Sequence, residues 1–132
     1  MTKKVDLNLE GFHPFGELIG FNFNKVEKGE SQCIIDLERK LMNPHGFVRG
    51  GVMYSMADTG MGAALYTLLE EGELCSTIEI KIAYFKPVKR GNLICDTIVI
   101  HKGKTISVLE SEIRNNEKLV AKAFGTFSIF KI

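Results

Sequence analysis

The sequence has almost no net charge and no cysteine pattern. Seventeen Lys and Arg stand against sixteen Asp and Glu, which leaves a formal charge of +1. No long-range field is then available to steer the protein to nucleic acid or an anionic membrane, so we expect neither partner. The three cysteines, Cys33, Cys75 and Cys95, are odd in number and lack metal-ligand spacing. We therefore expect small buried thiols in a reducing cytoplasm, with no metal and no cofactor.

Repeats and linkers are also missing, and we expect no targeting segment. The start of the chain carries charges at Lys3, Lys4 and Asp6 and no apolar stretch of signal-sequence length. Residues 50–69 approach the length of a membrane span, but Asp58 lies near their middle, and a carboxylate at that depth costs about 3 kcal/mol. We expect no membrane span. A length of 132 residues predicts one domain, residues 1–132.

One long segment, residues 49–71, is apolar nearly all round. This composition predicts a helix buried inside the protein, with Gly72 placed to stop it. Each of the interior glycines Gly60 and Gly62 costs about 1 kcal/mol relative to alanine, so both predict close approach of another backbone element.

The remaining chain has the patterns of strands. Residues 21–28 and 31–38 are two predicted strands joined at Gly29-Glu30. After the helix, the period changes to two, and Pro87 ends the first alternating run. The predicted strands of this half are 76–84, 93–101, 104–114 and 119–130, the last three forming an antiparallel meander with turns at 102–103 and 115–116. This order predicts an α+β domain whose sheet wraps round one long helix.

A glycine pair opens the predicted helix, and one carboxylate lies inside it. Gly50 and Gly51 would present free N–H groups and a positive dipole end to a carbonyl or phosphate oxygen, as in an oxyanion hole. The alternative is that they only permit a tight turn. Asp58 is the only ionisable side chain between Arg49 and Glu70. It is a candidate general base or carboxylate nucleophile, or a structural Asp tied to backbone or hydroxyl groups.

The spacing of these groups predicts a second chain. Gly51 and Asp58 are seven residues apart, which places them on nearly the same helix face but about 10.5 Å apart along the axis. A short Asp side chain cannot span that distance. If both groups act on one acyl group, they must come from different chains, so we expect a homodimer with two equivalent composite sites.

Two further features have both functional and ordinary explanations. Thr77 is expected to point away from the isoleucine face of residues 78–82, where its hydroxyl could hold a water, although β-branched residues are common in strands. The basic residues Lys89, Arg90 and Lys104 could bind phosphates, although a solvated loop is the commoner explanation.

Four stretches together resemble a known family. They are NPHGFVRGGVMYSMADTGMGAAL (residues 43–65), STIEIKIAYFKPVKRGNL (residues 76–93), HKGKT (residues 101–105) and KLVAKAFGTFSIF (residues 118–130). Their pattern is similar to that of the hotdog-fold thioesterases, specifically the phenylacetate-pathway (PaaI-like) branch, which cleaves acyl-coenzyme A (acyl-CoA) thioesters. The resemblance implies a hotdog fold, thioester hydrolysis, and dimers that commonly pair into tetramers.

The resemblance also implies roles for individual residues. Asn43 would orient the substrate or water, the Gly51 amide would polarise the thioester carbonyl, Asp58 would act as base or nucleophile, and Thr77 would hold the attacking water. The residues expected to contact CoA or the acyl group are Gly50, Lys89, Arg90, Lys104 and Phe47.

Arg49 departs from the family pattern, which usually has His at this position. Arginine stays protonated, so it donates hydrogen bonds to a carbonyl or phosphate but cannot shuttle a proton. This keeps open an alternative function, a non-catalytic acyl-CoA binding or sensing protein on the same fold. A hotdog dehydratase is disfavoured because no His is positioned as expected ahead of the helix.

Overall fold

The structure, a computed structural model, describes residues 8 and 10–132. The charged start of the chain, on which the expectation of no signal sequence rests, lies outside these residues. The elements are α1 (Pro14–Ile19), β1 (Asn22–Glu27), β2 (Glu30–Asp36), a 3₁₀ turn (Arg39–Leu41), α2 (Gly50–Tyr66), β3 (Glu73–Tyr84), β4 (Asn92–Lys102), β5 (Ile106–Asn115) and β6 (Lys118–Lys131).

All six strands form one antiparallel sheet in the order β1-β2-β4-β5-β6-β3. The sheet packs against α2, so the predicted α+β architecture of a sheet round one long helix is confirmed. The meander β4-β5-β6 is also confirmed. β3 follows the helix directly, yet among the strands of the described residues it pairs only with β6, which leaves β3 at an edge of this sheet.

Two hairpin turns lie one residue away from their predicted positions. The β1–β2 turn is at Lys28 and Gly29, and the β5–β6 turn is at Asn116 and Glu117. All four residues have positive φ. Two successive residues of positive φ give the type I′ turn, whose twist matches that of the flanking strands.

The long helix ends earlier than its apolar pattern predicts. It stops at Tyr66, not near Glu71, and Gly72 has a φ of 82° in the turn before β3. Thr67 accounts for the difference, because its hydroxyl donates to the Ala64 carbonyl (2.7 Å) and accepts from the Gly29 amide (2.8 Å). These bonds tie the end of the helix to the β1–β2 turn.

The helix is buried on one face only, so the expectation of a helix buried all round is wrong for a single chain. Met56, Met61 and Leu65 are fully buried against the sheet. The opposite face is open, with Tyr54 37% exposed and Asp58 partly exposed. No helix in the described part of the chain is both long enough and apolar enough to cross a membrane.

The two interior glycines of α2 differ in their surroundings. A Cβ at Gly60 would lie 2.9 Å from Thr97 Oγ1, which confirms close approach to β4. A Cβ at Gly62 would meet only Phe127, at 3.9 Å, so the same prediction is wrong there. Gly62 belongs to the open face of the helix.

Candidate active site

The first turn of α2 supplies backbone donors at one end of the site. The helix begins at Gly50, as predicted, and no side chain caps it at Arg49. The first amides of a helix have no intrahelical carbonyl, so the N–H of Gly51 is free of that partner. Apart from the helix itself, no described residue comes within 4 Å of a Cβ built at Gly51, so none of them fills the space beside this amide. The terminus has the geometry needed to bind an oxygen atom.

Tyr84, at the end of β3, fixes the start of this helix. Its hydroxyl donates to the Gly50 carbonyl at 2.7 Å. A Cβ at Gly50 would lie 2.9 Å from the Tyr84 ring, so glycine is what permits this contact. Sequence reasoning missed Tyr84, and the only signal for it was the glycine pair, which indicates close approach of some other element.

Asp58 and Thr77 meet at the other end of the site. The Thr77 hydroxyl donates to Asp58 Oδ1 at 2.6 Å, the short distance typical of a hydroxyl bound to a carboxylate. Both side chains reach solvent, so the expectation that Asp58 is a buried charge is wrong in the protomer. The carboxylate is partly exposed because the sheet covers only the other face of α2.

A β-bulge in β3 explains why Thr77 reaches Asp58. Thr77 pairs with Phe127, but Glu79 pairs with Thr126, so Ile78 is an extra residue on this strand. The bulge places Thr77 and Ile80 on the same inner face, whereas strict alternation predicted that Thr77 would point away from it. A bulge re-aims side chains in this manner and leaves no clear mark in the sequence.

Asn43 organises the loop that leads into α2. Its side-chain Oδ1 accepts from the backbone amides of His45 (2.9 Å) and Phe47 (3.1 Å). The backbone N–H of Asn43 donates to the Phe47 carbonyl (2.6 Å). With Oδ1 committed to the loop, the Nδ2 group of Asn43 carries the donors with which a substrate or water could be oriented.

The predicted binding residues fall into two separate groups. Lys89 Nζ lies 5.0 Å from the centre of the Phe47 ring, three residues before the helix begins, so these two residues lie near the helix N-terminus, and Arg90 is the next residue along the chain. Lys104 lies in the turn beyond β4, at the end of the sheet that holds Thr77. The eleven residues of β4 separate the two groups by about 35 Å, so one chain does not bring them together.

Two of the three cysteines, Cys33 and Cys95, are buried as expected, whereas Cys75 on β3 is partly exposed, so the expectation of a buried thiol is wrong there. Cys33 and Cys95 are direct cross-strand partners, and none of the three cysteines is in a disulfide. The hydrogen bond to Cys95, together with burial, holds the pKa of the Cys33 thiol well above its usual value. Among residues 8 and 10–132, no group of three or more His, Cys, Asp or Glu could hold a metal ion.

A protein-family model matches the part of the chain that holds this site. Residues 45–122 match the family model of the thioesterase superfamily, a span that contains the glycine pair, Asp58 and Thr77. The chain belongs to the thioesterase superfamily. Its general chemistry is therefore the hydrolysis of thioesters.

Two relatives illustrate the family. The Saccharolobus solfataricus protein named "Putative esterase SSO1253" is 35% identical over 116 residues, covering 86% of this chain and 75% of the relative. The 1,4-dihydroxy-2-naphthoyl-CoA hydrolase of Listeria monocytogenes is 27% identical over 116 residues, covering 87% of this chain and 94% of the hydrolase.

Solved structures confirm the hotdog fold. The thioesterase HI1161 of Haemophilus influenzae superposes with a TM-score of 0.90 at 23% identity, covering 98% of this chain and 93% of that one. The phenylacetic acid degradation protein PaaI of Thermus thermophilus superposes with a TM-score of 0.81 at 22% identity, covering 87% and 97% of the two chains. The predicted resemblance to PaaI-like thioesterases is confirmed for the fold.

Proposed function

We propose that residues 1–132 form one hotdog domain that hydrolyses acyl-CoA thioesters to the free acid and CoA. The observation that carries the proposal is the hydrogen bond from Thr77 to Asp58, which orients a carboxylate beside an open surface. The acyl-CoA class is supported by the Listeria monocytogenes relative, whose name gives a CoA thioester as its substrate.

In the proposed reaction, the Gly51 amide donates to the thioester carbonyl oxygen, where negative charge develops as the carbon is attacked. The second oxygen of Asp58 takes a proton from the attacking water, while Thr77 holds the first oxygen in place. Collapse of the tetrahedral intermediate breaks the carbon–sulfur bond and expels the CoA thiolate, which takes up a proton to give CoA. Alternatively, Asp58 attacks the carbonyl itself and expels the CoA thiolate, which leaves a mixed anhydride that water then cleaves to the free acid and the Asp58 carboxylate.

Two equivalent composite sites in a homodimer are part of the proposal. In one chain, Gly51 and Asp58 are about 10.5 Å apart along α2, too far to act on adjacent atoms. The edge strand β3 is long, with twelve residues, and its exposed side chains include two large apolar ones, Ile78 (52%) and Tyr84 (48%). An unpaired edge of this kind is a template for another strand. Antiparallel pairing of two β3 strands would bring Asp58 of one chain towards Gly51 of its partner.

The same pairing would assemble the CoA site. Antiparallel β3 strands set the Thr77 end of one sheet against the helix N-terminus of the other. Lys104 of one chain would then lie on the side of Lys89 and Arg90 of its partner, where three cations could face the CoA phosphates. Phe47 and Gly50 would line the entry beside them.

The proposal also includes a tetramer made of two dimers and a cytoplasmic location for the protein. Exposed apolar side chains, Ile98, Ile100, Ile106 and Phe124, lie on β4, β5 and β6. These strands would let two dimers pack sheet to sheet as a dimer of dimers. Unbridged thiols in Cys33 and Cys95, which are direct cross-strand partners, fit a reducing cytoplasm.

Release of free thiol from a panel of acyl-CoA substrates tests the chemistry. We expect Asp58→Asn to reduce turnover by at least about 100-fold, because the amide neither accepts the water proton nor attacks the carbonyl. The matched control is Asp96→Asn, which removes another partly exposed carboxylate, one that alternates with the buried Cys95 and Thr97 on β4 and so lies on the outer face of the sheet, away from α2 and Asp58. Turnover that survives unchanged in Asp58→Asn would refute its proposed role.

Mixing two inactive variants tests the composite site. Gly51→Pro removes the proposed donor, and proline is tolerated in the first turn of a helix. A dimer of one Gly51→Pro chain and one Asp58→Asn chain has one intact composite site and one site with both defects. Refolding an equal mixture should restore about a quarter of wild-type activity, since half the dimers are mixed. No recovery in a mixture shown to contain mixed dimers would place each site within one chain.

Arg49 supports a second candidate, an acyl-CoA binding or sensing protein. Its exposed side chain stands at the helix N-terminus and does not cap it, so it is available to a carbonyl or phosphate. Tight binding of acyl-CoA without thiol release would favour this function. A large gain in rate in Arg49→His would show that the arginine limits turnover, because histidine transfers protons near neutral pH and arginine does not.

A further inference from the structure

Tyr84 contacts the same peptide group that the proposed mechanism uses. The Gly50 carbonyl and the Gly51 N–H belong to one planar amide, and in a trans peptide they point in opposite directions. The Tyr84 hydroxyl binds the carbonyl side at 2.7 Å, so it leaves the N–H side open. The structure therefore has a donor directly behind the proposed oxyanion donor.

We propose that Tyr84 is a positioning residue that orients and polarises the Gly51 N–H through the Gly50–Gly51 peptide. This inference rests on the proposed function, in which that N–H stabilises the oxyanion. A hydrogen bond to a carbonyl draws electron density from the amide nitrogen and strengthens its N–H as a donor, by about 10–30% per bond. It also fixes the peptide plane at the frayed end of a helix.

The surroundings of the contact support a role beyond packing. The Gly50 carbonyl has two lone pairs, one for the helical amide four residues on and one for Tyr84. A side chain at position 50 would clash with the tyrosine ring at 2.9 Å, so Gly50 is required for this contact. Partial burial of Tyr84, and secondarily the neighbouring Tyr54, raises the pKa of its hydroxyl, which therefore stays a donor at neutral pH.

Tyr84→Phe is the direct test, because it keeps the ring and removes only the hydroxyl. Removing an oxyanion donor outright lowers kcat by about 100- to 1,000-fold, so weakening and loosening one should lower kcat by about 3- to 10-fold. We expect KM for the best acyl-CoA substrate of the panel to stay within about twofold, since the effect is confined to the transition state. The matched variant is Tyr54→Phe, which removes the neighbouring hydroxyl but not the bond to Gly50.

Amide resonances give a readout that needs no turnover. In Tyr84→Phe, the carbonyl carbon of Gly50 and the amide proton of Gly51 should both move upfield, while Tyr54→Phe leaves them in place. Sedimentation must show that both variants keep the wild-type assembly. Unmoved resonances, an unchanged kcat, or an equal loss in Tyr54→Phe would overturn the inference. If the wild-type protein releases no thiol, the proposed function fails, and the resonances alone decide whether Tyr84 polarises this peptide.

Discussion

Replacing Gly60 by alanine should destabilise the fold even though alanine is the better helix former. The new Cβ would lie 2.9 Å from Thr97 Oγ1 and 3.4 Å from Ser31 Oγ. Neither hydroxyl moves away freely, because Ser31 donates to the Gly60 carbonyl (2.7 Å) and Thr97 shares a hydrogen bond with Ser111 (2.6 Å). Gly60 is therefore held between β2 and β4.

The magnitude follows from two opposed effects. Overpacking a core costs about 1–3 kcal/mol, and this contact is close and made by short, bonded side chains, so we take the upper half of that range. Removing a helical glycine returns about 1 kcal/mol. The free energy of unfolding of Gly60→Ala should therefore fall by about 1–2 kcal/mol. Gly62→Ala is the matched control, because its Cβ meets only Phe127 at 3.9 Å, and it should gain up to about 1 kcal/mol.

Urea unfolding at fixed protein concentration measures both variants. A double-mutant cycle with Thr97→Ala isolates the clash between the new Cβ at position 60 and Thr97. Thr97→Ala also leaves Ser111 without its partner, but this cost occurs in the single and in the double variant, so it cancels in the cycle. The double variant should be at least about 1 kcal/mol more stable than the sum of the single effects predicts. A Gly60→Ala protein as stable as Gly62→Ala would refute the packing argument.

Three further predictions concern side chains along the sheet. Thr77→Val should lower kcat by about tenfold while Thr77→Ser keeps most activity, because only the hydroxyl orients Asp58; equal losses in thiol-release assays would contradict this. Cys33 and Cys95 should react with a thiol reagent only at the rate of unfolding, since both are fully buried; fast labelling of either in the native protein, read by mass spectrometry, would contradict it. The hydrogen bond from Arg114 lowers the pKa of Glu112, so Glu112 stabilises the fold above its unfolded pKa, and that stability is lost as pH falls through the lowered value. Glu112→Gln should cost about 0.5 kcal/mol in urea unfolding at pH 7 and nothing at acid pH, and a loss independent of pH would refute this.

The architecture was predictable because the spacing of apolar residues along a helix or strand shows which of its faces packs against the core. Apolar residues alternate along β4, β5 and β6, which indicates a sheet with one buried face. The apolar run of α2 indicates a helix that packs on that face. The end of α2 was not predictable from that run, since Thr67 stops it through bonds to Ala64 and to the distant Gly29. The apolar pattern continues past this point because Leu68 and Leu69 still face inward in the turn.

The short helix α1 had local signals that went unused. Pro14 is its first residue, the His13 Nδ1 accepts from the Gly16 amide at 2.7 Å, and Gly20 follows it in the left-handed conformation. Proline at the start and glycine just past the end are ordinary helix boundaries. A segment of six residues is too short for a periodic pattern, so only its caps could have indicated it.

The site shows the limit of reasoning from spacing. Helix geometry alone gave the separation of Gly51 and Asp58, and with it the expectation of a second chain. It could not give the Thr77 contact, which depends on an extra residue at Ile78 in a strand that otherwise alternates regularly. It could not give the Tyr84 contact either, because nothing local relates residue 84 to residue 50.

Strand β3 contacts both parts of the proposed site and is also the strand proposed to join the two chains. The strand contacts Asp58 through Thr77 and the helix N-terminus through Tyr84, so it touches both halves of the proposed site within one chain. The two contacts are seven residues apart along the strand, about 23 Å, with Ile80 and Lys81 at their midpoint. Antiparallel pairing of two β3 strands about that midpoint would set Thr77 of one chain opposite Tyr84 of the other. The strand that positions each half-site would then be the same strand that joins them, so loss of pairing and loss of catalysis should occur together.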